Sequence, residues 1–175
     1  MASVFGGAMD LLEGIHTRRS IRTYTGQQVT SEQLREIIKA GTMAPSGLNN
    51  QPWRFVTIRN KDVLRKLAAL TKYSHIIEKA PSAIVVVIDK DAMYHETKDH
   101  QAMGACIQNI LLAAHGMGLG GVWLGEILKG ARQVRELCGL SEQYELMAVV
   151  ALGYPAGRGG QAERKPVEEV VLKEI

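Results

Sequence analysis

From residue 99 to 117 the sequence is apolar on almost every side. Ala102, Ala105, Cys106, Ile110, Ala113 and Met117 line one helical face and Met103, Ile107, Leu111 and Ala114 another, with Gln101, Gln108, Asn109 and His115 as the interruptions. A helix that is apolar all round must be buried all round. At 1.5 Å rise per residue it would be ~28 Å long, about the width of a small domain. A chain of 175 residues supplies a single core, too little to wrap such a rod completely. The pattern therefore predicts a second copy of the chain along one side, that is, a homodimer.

The remaining elements alternate in type. Leu11, Leu12 and Ile15 form a short apolar stripe behind Asp10, which predicts a brief opening helix. Thr30 with Gln33 makes a capping-box pattern, so a helix should run from Ser31 to about Thr42 and stop before Pro45. Residues 54–59 favour a strand through their β-branched content, and Asn60 can cap a helix carrying Leu64, Leu67 and Ala68. Residues 83–88 are apolar on both faces, as a central strand covered on both sides would be. Residues 121–124 and 146–152 complete the strands, with a helix between them marked by Ala131, Val134 and Leu137. Residues 154–161 are Gly-rich and should be flexible. Residues 166–172 regain strand character but are too short to fold alone, so they must dock on a sheet edge of their own or a neighbouring chain.

Charge and cysteine usage exclude several function classes. With 21 basic against 18 acidic residues the net charge is +3, too mild to imply a nucleic-acid partner. Cys106 and Cys138 stand far apart without metal-ligand spacing, which reads as reduced thiols in a reducing cytoplasm. Residues 4–9 lack the basic lead and the length of a signal peptide, and no apolar run approaches membrane length. The two histidines of the stretch 95–100 are five apart and do not share a helical face, so no metal site is expected and a solvated acidic helix start is. Ser46 lacks the context of a hydrolase nucleophile. The glycines of 116–121 follow a helix and lead into a strand, the reverse of a dinucleotide-binding loop, and are read as helix termination.

Two segments carry the candidate chemistry. Arg18, Arg19, Ser20 and Arg22 set three guanidinium groups and a hydroxyl within five residues, with no acid among them. Arg18 and Arg22 share a face in either a helical or an extended segment, so both planar forks can converge on one phosphate. The alternative is a solvated basic turn. Residues 45–53 place three side-chain amides between two prolines and end in Trp53. Amides both donate and accept, as the wall of a flat heterocycle requires; an Asx-turn loop anchored by Trp53 is the alternative.

The order RRSIR, helix, PSGLNNQPW, strand, buried helix ending in GLGGVW, then GYP before a basic tail resembles the nitroreductase family of FMN-dependent oxidoreductases. The resemblance spans residues 15–175. It implies an α+β fold: a three-layer sandwich with a mixed central sheet flanked by helices, in an intertwined homodimer. Residues 1–175 would form one domain, with 154–175 an arm exchanged between subunits and two FMN molecules at the interface. By position, Arg18, Arg19, Ser20 and Arg22 would hold the phosphate and ribityl end, and Arg164 would add another cation. Pro45, Ser46, Asn49 and Gln51 would approach the flavin from the partner. Leu124 and Gly125 would supply backbone along the ring. Lys72 is a candidate for the flavin pyrimidine, and Arg22 for the charge that develops near N1 and O2 on reduction. The implied reaction passes hydride from NADH or NADPH through flavin N5 to an electron-poor acceptor such as a nitroaromatic, quinone or flavin, with no catalytic side chain. The alternatives are a specialised flavin enzyme of the same fold (a dehalogenase, flavin-cleaving or oxidase type) and a non-enzymatic flavin or phosphate module. The missing helical excursion between residues 92 and 99 implies an open substrate channel.

Overall fold

One strand buried at every residue and a second buried over most of its length form the middle of one sheet. In the computed structural model, which describes residues 9–160 and 163–175, β1 (Trp53–Ile58), β2 (Ser82–Asp89), β3 (Gly120–Leu124) and β4 (Tyr144–Gly153) lie in the order β1-β2-β4-β3. Residues 4–8 of the segment read as no signal peptide, and Gln161 of the Gly-rich segment, fall outside the described residues. All three strand pairs are antiparallel. A parallel bridge between Ser20 and Gly121 adds the one contrary direction and makes the β3 margin mixed.

The sheet carries helices on both faces. β2 alternates Ala83, Val85 and Val87 into a cluster with Leu64, Leu67, Ile76, Ile77 and Val134, contributed by α3 (Lys61–Ala68), α4 (Ser74–Lys79) and α6 (Ala131–Leu137). Ile84, Val86 and Ile88 face the opposite cluster with Leu34, Ile37, Met103, Ile107 and Ile110, from α2 (Ser31–Thr42) and α5 (Glu96–Gly116). Residue period two in β2 thus feeds both layers, which is why its sequence is apolar without alternation.

Local signals set the helix starts. Asp10 caps α1 (Leu11–Thr17) by accepting from the N–H of Leu12 and of Glu13 at 2.9 and 3.1 Å. The capping box at α2 is complete, with Gln33 N–H donating to Thr30 Oγ1 at 3.2 Å and Thr30 N–H to Gln33 Oε1 at 3.0 Å. Asn60 caps α3 through Asp62 and Val63 N–H. The short helix α4 carries no cap bond from its Tyr73 side chain, and nothing in the sequence announced it.

Two expectations change. The Gly-rich segment is not loose at its start, because Thr25 N–H donates to Tyr154 O at 2.8 Å and Ala156 N–H to Thr23 O at 3.1 Å. The tail 166–172 is not a strand here: α7 (Val167–Val170) is one helical turn, and Leu172 is 98% exposed. A strand needs an edge to pair with, and in a single chain this tail reaches none. The expectation for α5 holds in the single chain, which does not bury it all round. Gln101, Gly104, Ala105, Gln108 and Leu112 form a stripe left partly or fully open. Leu11, at 71% exposure, and Leu12 are uncovered as well.

Candidate functional site

The segment after α1 leaves the helix at Arg18 in extended conformation, φ −55° and ψ 132°. It then runs beside β3, where Ile21 N–H donates to Gly121 O at 3.1 Å. Extended chain alternates its side chains. Ile21 packs toward the α3/α4/α6 cluster with Val122 and Leu124, and a Cβ on Gly120 would fall 2.5 Å from Ile21. Arg19 turns the same way as Ile21, toward Gly159, and its Nη1 donates to the carbonyls of His16 and Arg18 at 2.6 and 2.8 Å. Arg19 therefore borders a cleft of about 400 Å³ with Thr17, Ile21, His115 and Arg158. Ser20, paired with Gly121, lies on the side opposite Ile21 and faces the α5 layer.

This corner carries more positive than negative charge, Glu13 acting on His115 against Arg18 and Arg19. Among the described residues, Arg18, Arg19, Arg22 and Arg164 take part in no salt bridge, and Arg18 Nε is buried without a hydrogen-bond partner. Burial first, then the guanidinium groups of Arg164 and Arg19, weaken Arg18's hold on its proton. His115, whose Nε2 lies 2.9 Å from Thr17 Oγ1, is held below the usual histidine range by burial and by Arg18 and Arg19. A buried, unpaired donor costs ~1–3 kcal/mol, and converging cations add repulsion. An anion rich in acceptor oxygens removes both penalties, so the residues present fit the phosphate of a flavin mononucleotide.

The loop 45–51 is built in the opposite manner. Leu48, Asn49 and Gln51 hold positive φ of 52°, 55° and 46°, a conformation that costs a side-chain-bearing residue of order 1 kcal/mol and persists only when neighbours enforce it. Ser46 Oγ accepts from Gln51 N–H at 3.1 Å, and Gln51 Nε2 donates to Asn49 O at 3.3 Å. A Cβ on Gly47 would fall 2.0 Å from the Tyr94 hydroxyl oxygen, so the loop closes on Tyr94 only because residue 47 has none. Asn50 leaves the supposed amide wall: its Nδ2 donates to Ala92 O at 2.9 Å and to Asp99 Oδ1 at 2.8 Å. Asp99 Oδ2 also accepts from the N–H of Tyr94 and of His95 at 2.9 and 2.8 Å.

Asp99 is fully buried, which corrects the expectation of a solvated acidic helix start. Burial alone would raise its carboxyl, but the N–H of His95, the Asn50 amide and the N–H of Tyr94 outweigh it and hold the group below its ordinary range. The sequence signal for this anchor is weak, since an Asp in the first turn of a helix is normally exposed. Pro45, Ser46 and Gly47 border a shallow cleft against Lys98, Gln101 and Ala105 of α5. Pro45, Asn49 and Gln51 are left exposed.

At the far end of β3, Leu124 is buried in the α3/α4/α6 cluster and can offer only backbone to a ligand, while Gly125 is exposed. Glu126 pins this turn, accepting from Thr71 Oγ1 at 2.7 Å and from Lys72 N–H at 3.2 Å. The Thr71 hydroxyl, foremost, keeps the Glu126 carboxyl low. Lys72 is thus beside the β3 end through its backbone, with its ammonium 5.2 Å over the Tyr73 ring. Among the described residues no group of His, Cys, Asp and Glu could hold a metal ion, and no helix is long and apolar enough to cross a membrane.

The two segments occupy opposite corners of the sheet. Trp53, just after the loop, pairs with Ile88 and thence Glu145, while Gly121 pairs with Leu152. Seven residues along β4 at ~3.3 Å and three strand spacings of ~4.8 Å put the corners on the order of 25 Å apart. The loop adjoins the start of α5 and the arginines its end, through Thr17 and His115.

The nitroreductase family model matches residues 15–73 and 68–154. A solved structure from Desulfovibrio desulfuricans, described as a nitroreductase in complex with FMN, superposes with a TM-score of 0.90 at 46% identity, covering 97% of this chain and 99% of that one. An NADPH-flavin oxidoreductase of Vibrio harveyi is 33% identical over 172 residues, 91% of this chain and 72% of its own length. An NADH dehydrogenase of Thermus thermophilus is 32% identical over 187 residues, covering 89% of this chain and 91% of the relative.

Proposed function

The chain belongs to the nitroreductase family, and we propose that its cationic corner and its amide loop, lent by two different copies, grip one FMN between them. Its activity is that of an FMN-dependent NAD(P)H oxidoreductase. When bound, FMN supplies the redox chemistry, accepting hydride from NADH or NADPH and passing it to an electron-poor acceptor such as a nitroaromatic, a quinone or another flavin.

The protein's own residues bind, orient and tune. Arg18, Ser20 and Arg22 present donors at the β3 margin, and Arg164, near enough to act on Arg18, brings a further cation to the phosphate. Arg19 reinforces the local positive potential while its guanidinium fixes the backbone of residues 16 and 18. Backbone at Leu124 and Gly125 borders the ring. From the partner, the pre-strained loop offers Pro45, Ser46, Asn49 and Gln51, with Asn50 spent on holding it rigid. No side chain of this set is required to act as nucleophile or general acid.

A homodimer makes that composite geometry attainable. Two α5 helices packed antiparallel about a two-fold axis, through the open stripe of Gln101, Gly104, Ala105, Gln108 and Leu112, bring the start of one against the end of the other. The exposed α1 and the arm from residue 154 onward then have somewhere to go. β1 has a free edge beside a groove lined by Val56, Val63, Leu137 and Cys138, and the partner's tail is the strand that fits it. Reduced thiols and the absence of a membrane-crossing helix among the described residues accord with a cytoplasmic setting.

The observation that carries this reading is the buried, unpartnered Arg18 Nε among arginines that take part in no salt bridge among the described residues. The test is reconstitution: protein mixed with FMN and desalted should stay yellow and bleach on anaerobic addition of NADH or NADPH. Colourless protein that FMN cannot reconstitute overturns it.

A further inference from the structure

Trp123 is the one residue of β3 whose side chain is left open, at 42% exposure, while Val122 and Leu124 beside it are buried. Its position explains this. Trp123 pairs with Val150 and Gly121 with Leu152, and both partners belong to the α5-side cluster, so the indole faces the α5 layer. β3 is an edge strand, and there the ring projects beyond the covered part of the sheet. Its Nε1 lies 3.9 Å from where a Cβ on Gly125 would stand, which lays the indole along the turn that ends β3. Ser20, bridged to Gly121, is on the same side two residues away, ~6.6 Å along the strand.

A large, half-uncovered aromatic on an otherwise buried strand is costly to leave wet. Here it shares one side of the sheet margin with Ser20 and lies at the end where Gly125 is exposed. We infer that the Trp123 indole is the protein's stacking surface for the isoalloxazine ring, a positioning residue for the cofactor that also tunes it. The inference rests on the FMN reading above and deepens it. An electron-rich indole in contact with an electron-poor oxidised flavin stabilises the oxidised ring over the reduced, anionic one, so Trp123 lowers the flavin's midpoint potential.

The experiment compares FMN-loaded wild type with Trp123→Leu and Trp123→Phe, using Trp53→Phe as a control because Trp53 is buried in the core. Contact with indole quenches flavin emission, so bound FMN should be dark in wild type and in Trp53→Phe but emissive in Trp123→Leu. Loss of one stacked pair should weaken FMN binding about fivefold to tenfold in Trp123→Leu, with a raised midpoint potential, and Trp123→Phe should recover most of the affinity. FMN bound to Trp123→Leu with wild-type emission, affinity and potential overturns the inference and leaves the FMN reading standing. Wild-type protein that binds no FMN overturns both.

Discussion

The cationic corner and the amide loop differ in what holds them in place without a ligand, although each leaves one buried polar atom unpartnered, Arg18 Nε and Asn50 Oδ1. At the corner, Arg18 Nε is buried and unpartnered and like charges converge. At the loop, the buried Asp99 carboxylate collects three N–H donors from Asn50, Tyr94 and His95, and three residues are held at positive φ. The first region gains stability when an anion arrives; the second has its shape fixed before anything binds. In the proposed divided site, the corner would contribute charge and the loop a rigid wall, and FMN retention would draw on both.

Substitutions at the two regions should therefore have opposite signatures. Arg18→Ala combined with Arg22→Ala removes two charge-assisted phosphate contacts worth ~1.5–3 kcal/mol each, enough to weaken FMN binding by about 10² to 10⁴ if they add. The thermal midpoint of the FMN-free protein should not fall, because repulsion is relieved; titration of apo-protein with FMN and a melting curve check both halves. Asp99→Ala should do the reverse. It strands the Asn50 amide and two backbone N–H groups in a buried site, costing about 3 kcal/mol of stability, which a urea midpoint measures.

Proton linkage sharpens the contrast further. The Asp99 carboxyl is held below its ordinary range, so its contribution is present above the unfolded-state value and is lost as pH falls through the lower folded one. Acid unfolding of Asp99→Asn should accordingly be shallower than that of wild type. His115 is also depressed, but as a base that folding keeps neutral. Its contribution is full above about pH 6.5 and declines as pH drops toward its folded value. FMN phosphate beside Arg18 and Arg19 should offset the field that depresses it, so FMN should move the His115 titration upward by NMR. An unmoved titration would separate His115 from the phosphate.

Much of the fold was legible because its signals are local. The Thr30/Gln33 box, the Asn60 and Asp10 caps and the unbroken apolar run of β2 each place an element within a residue or two of where it lies. The tail was not legible, since whether residues 166–172 form a strand depends on reaching a free sheet edge, which the tail of a single chain does not. In the site, the composition of 18–22 identified a cationic segment, but only the structure showed that Arg19 turns toward Gly159 and spends its guanidinium on the carbonyls of His16 and Arg18. Three amides looked equivalent in sequence, yet Asn50 is claimed by an aspartate 49 positions along the chain. Trp123 read as a motif landmark until β3 proved to be an edge strand. The surplus apolar surface of α5 did predict the stripe that a single chain leaves open.

Complementation between two defective chains tests the composite site most directly. One variant carries Arg18→Ala and Arg22→Ala; the other carries Asn49→Gly and Gln51→Gly, which remove the amides while tolerating positive φ. Neither alone should retain FMN. Unfolded together and refolded as an equal mixture, half the dimers should pair the two variants, and each of these should regain one intact site, giving about a quarter of wild-type FMN occupancy. Occupancy that stays at the level of the separate variants would show that both regions must come from the same chain, and would contradict the shared site.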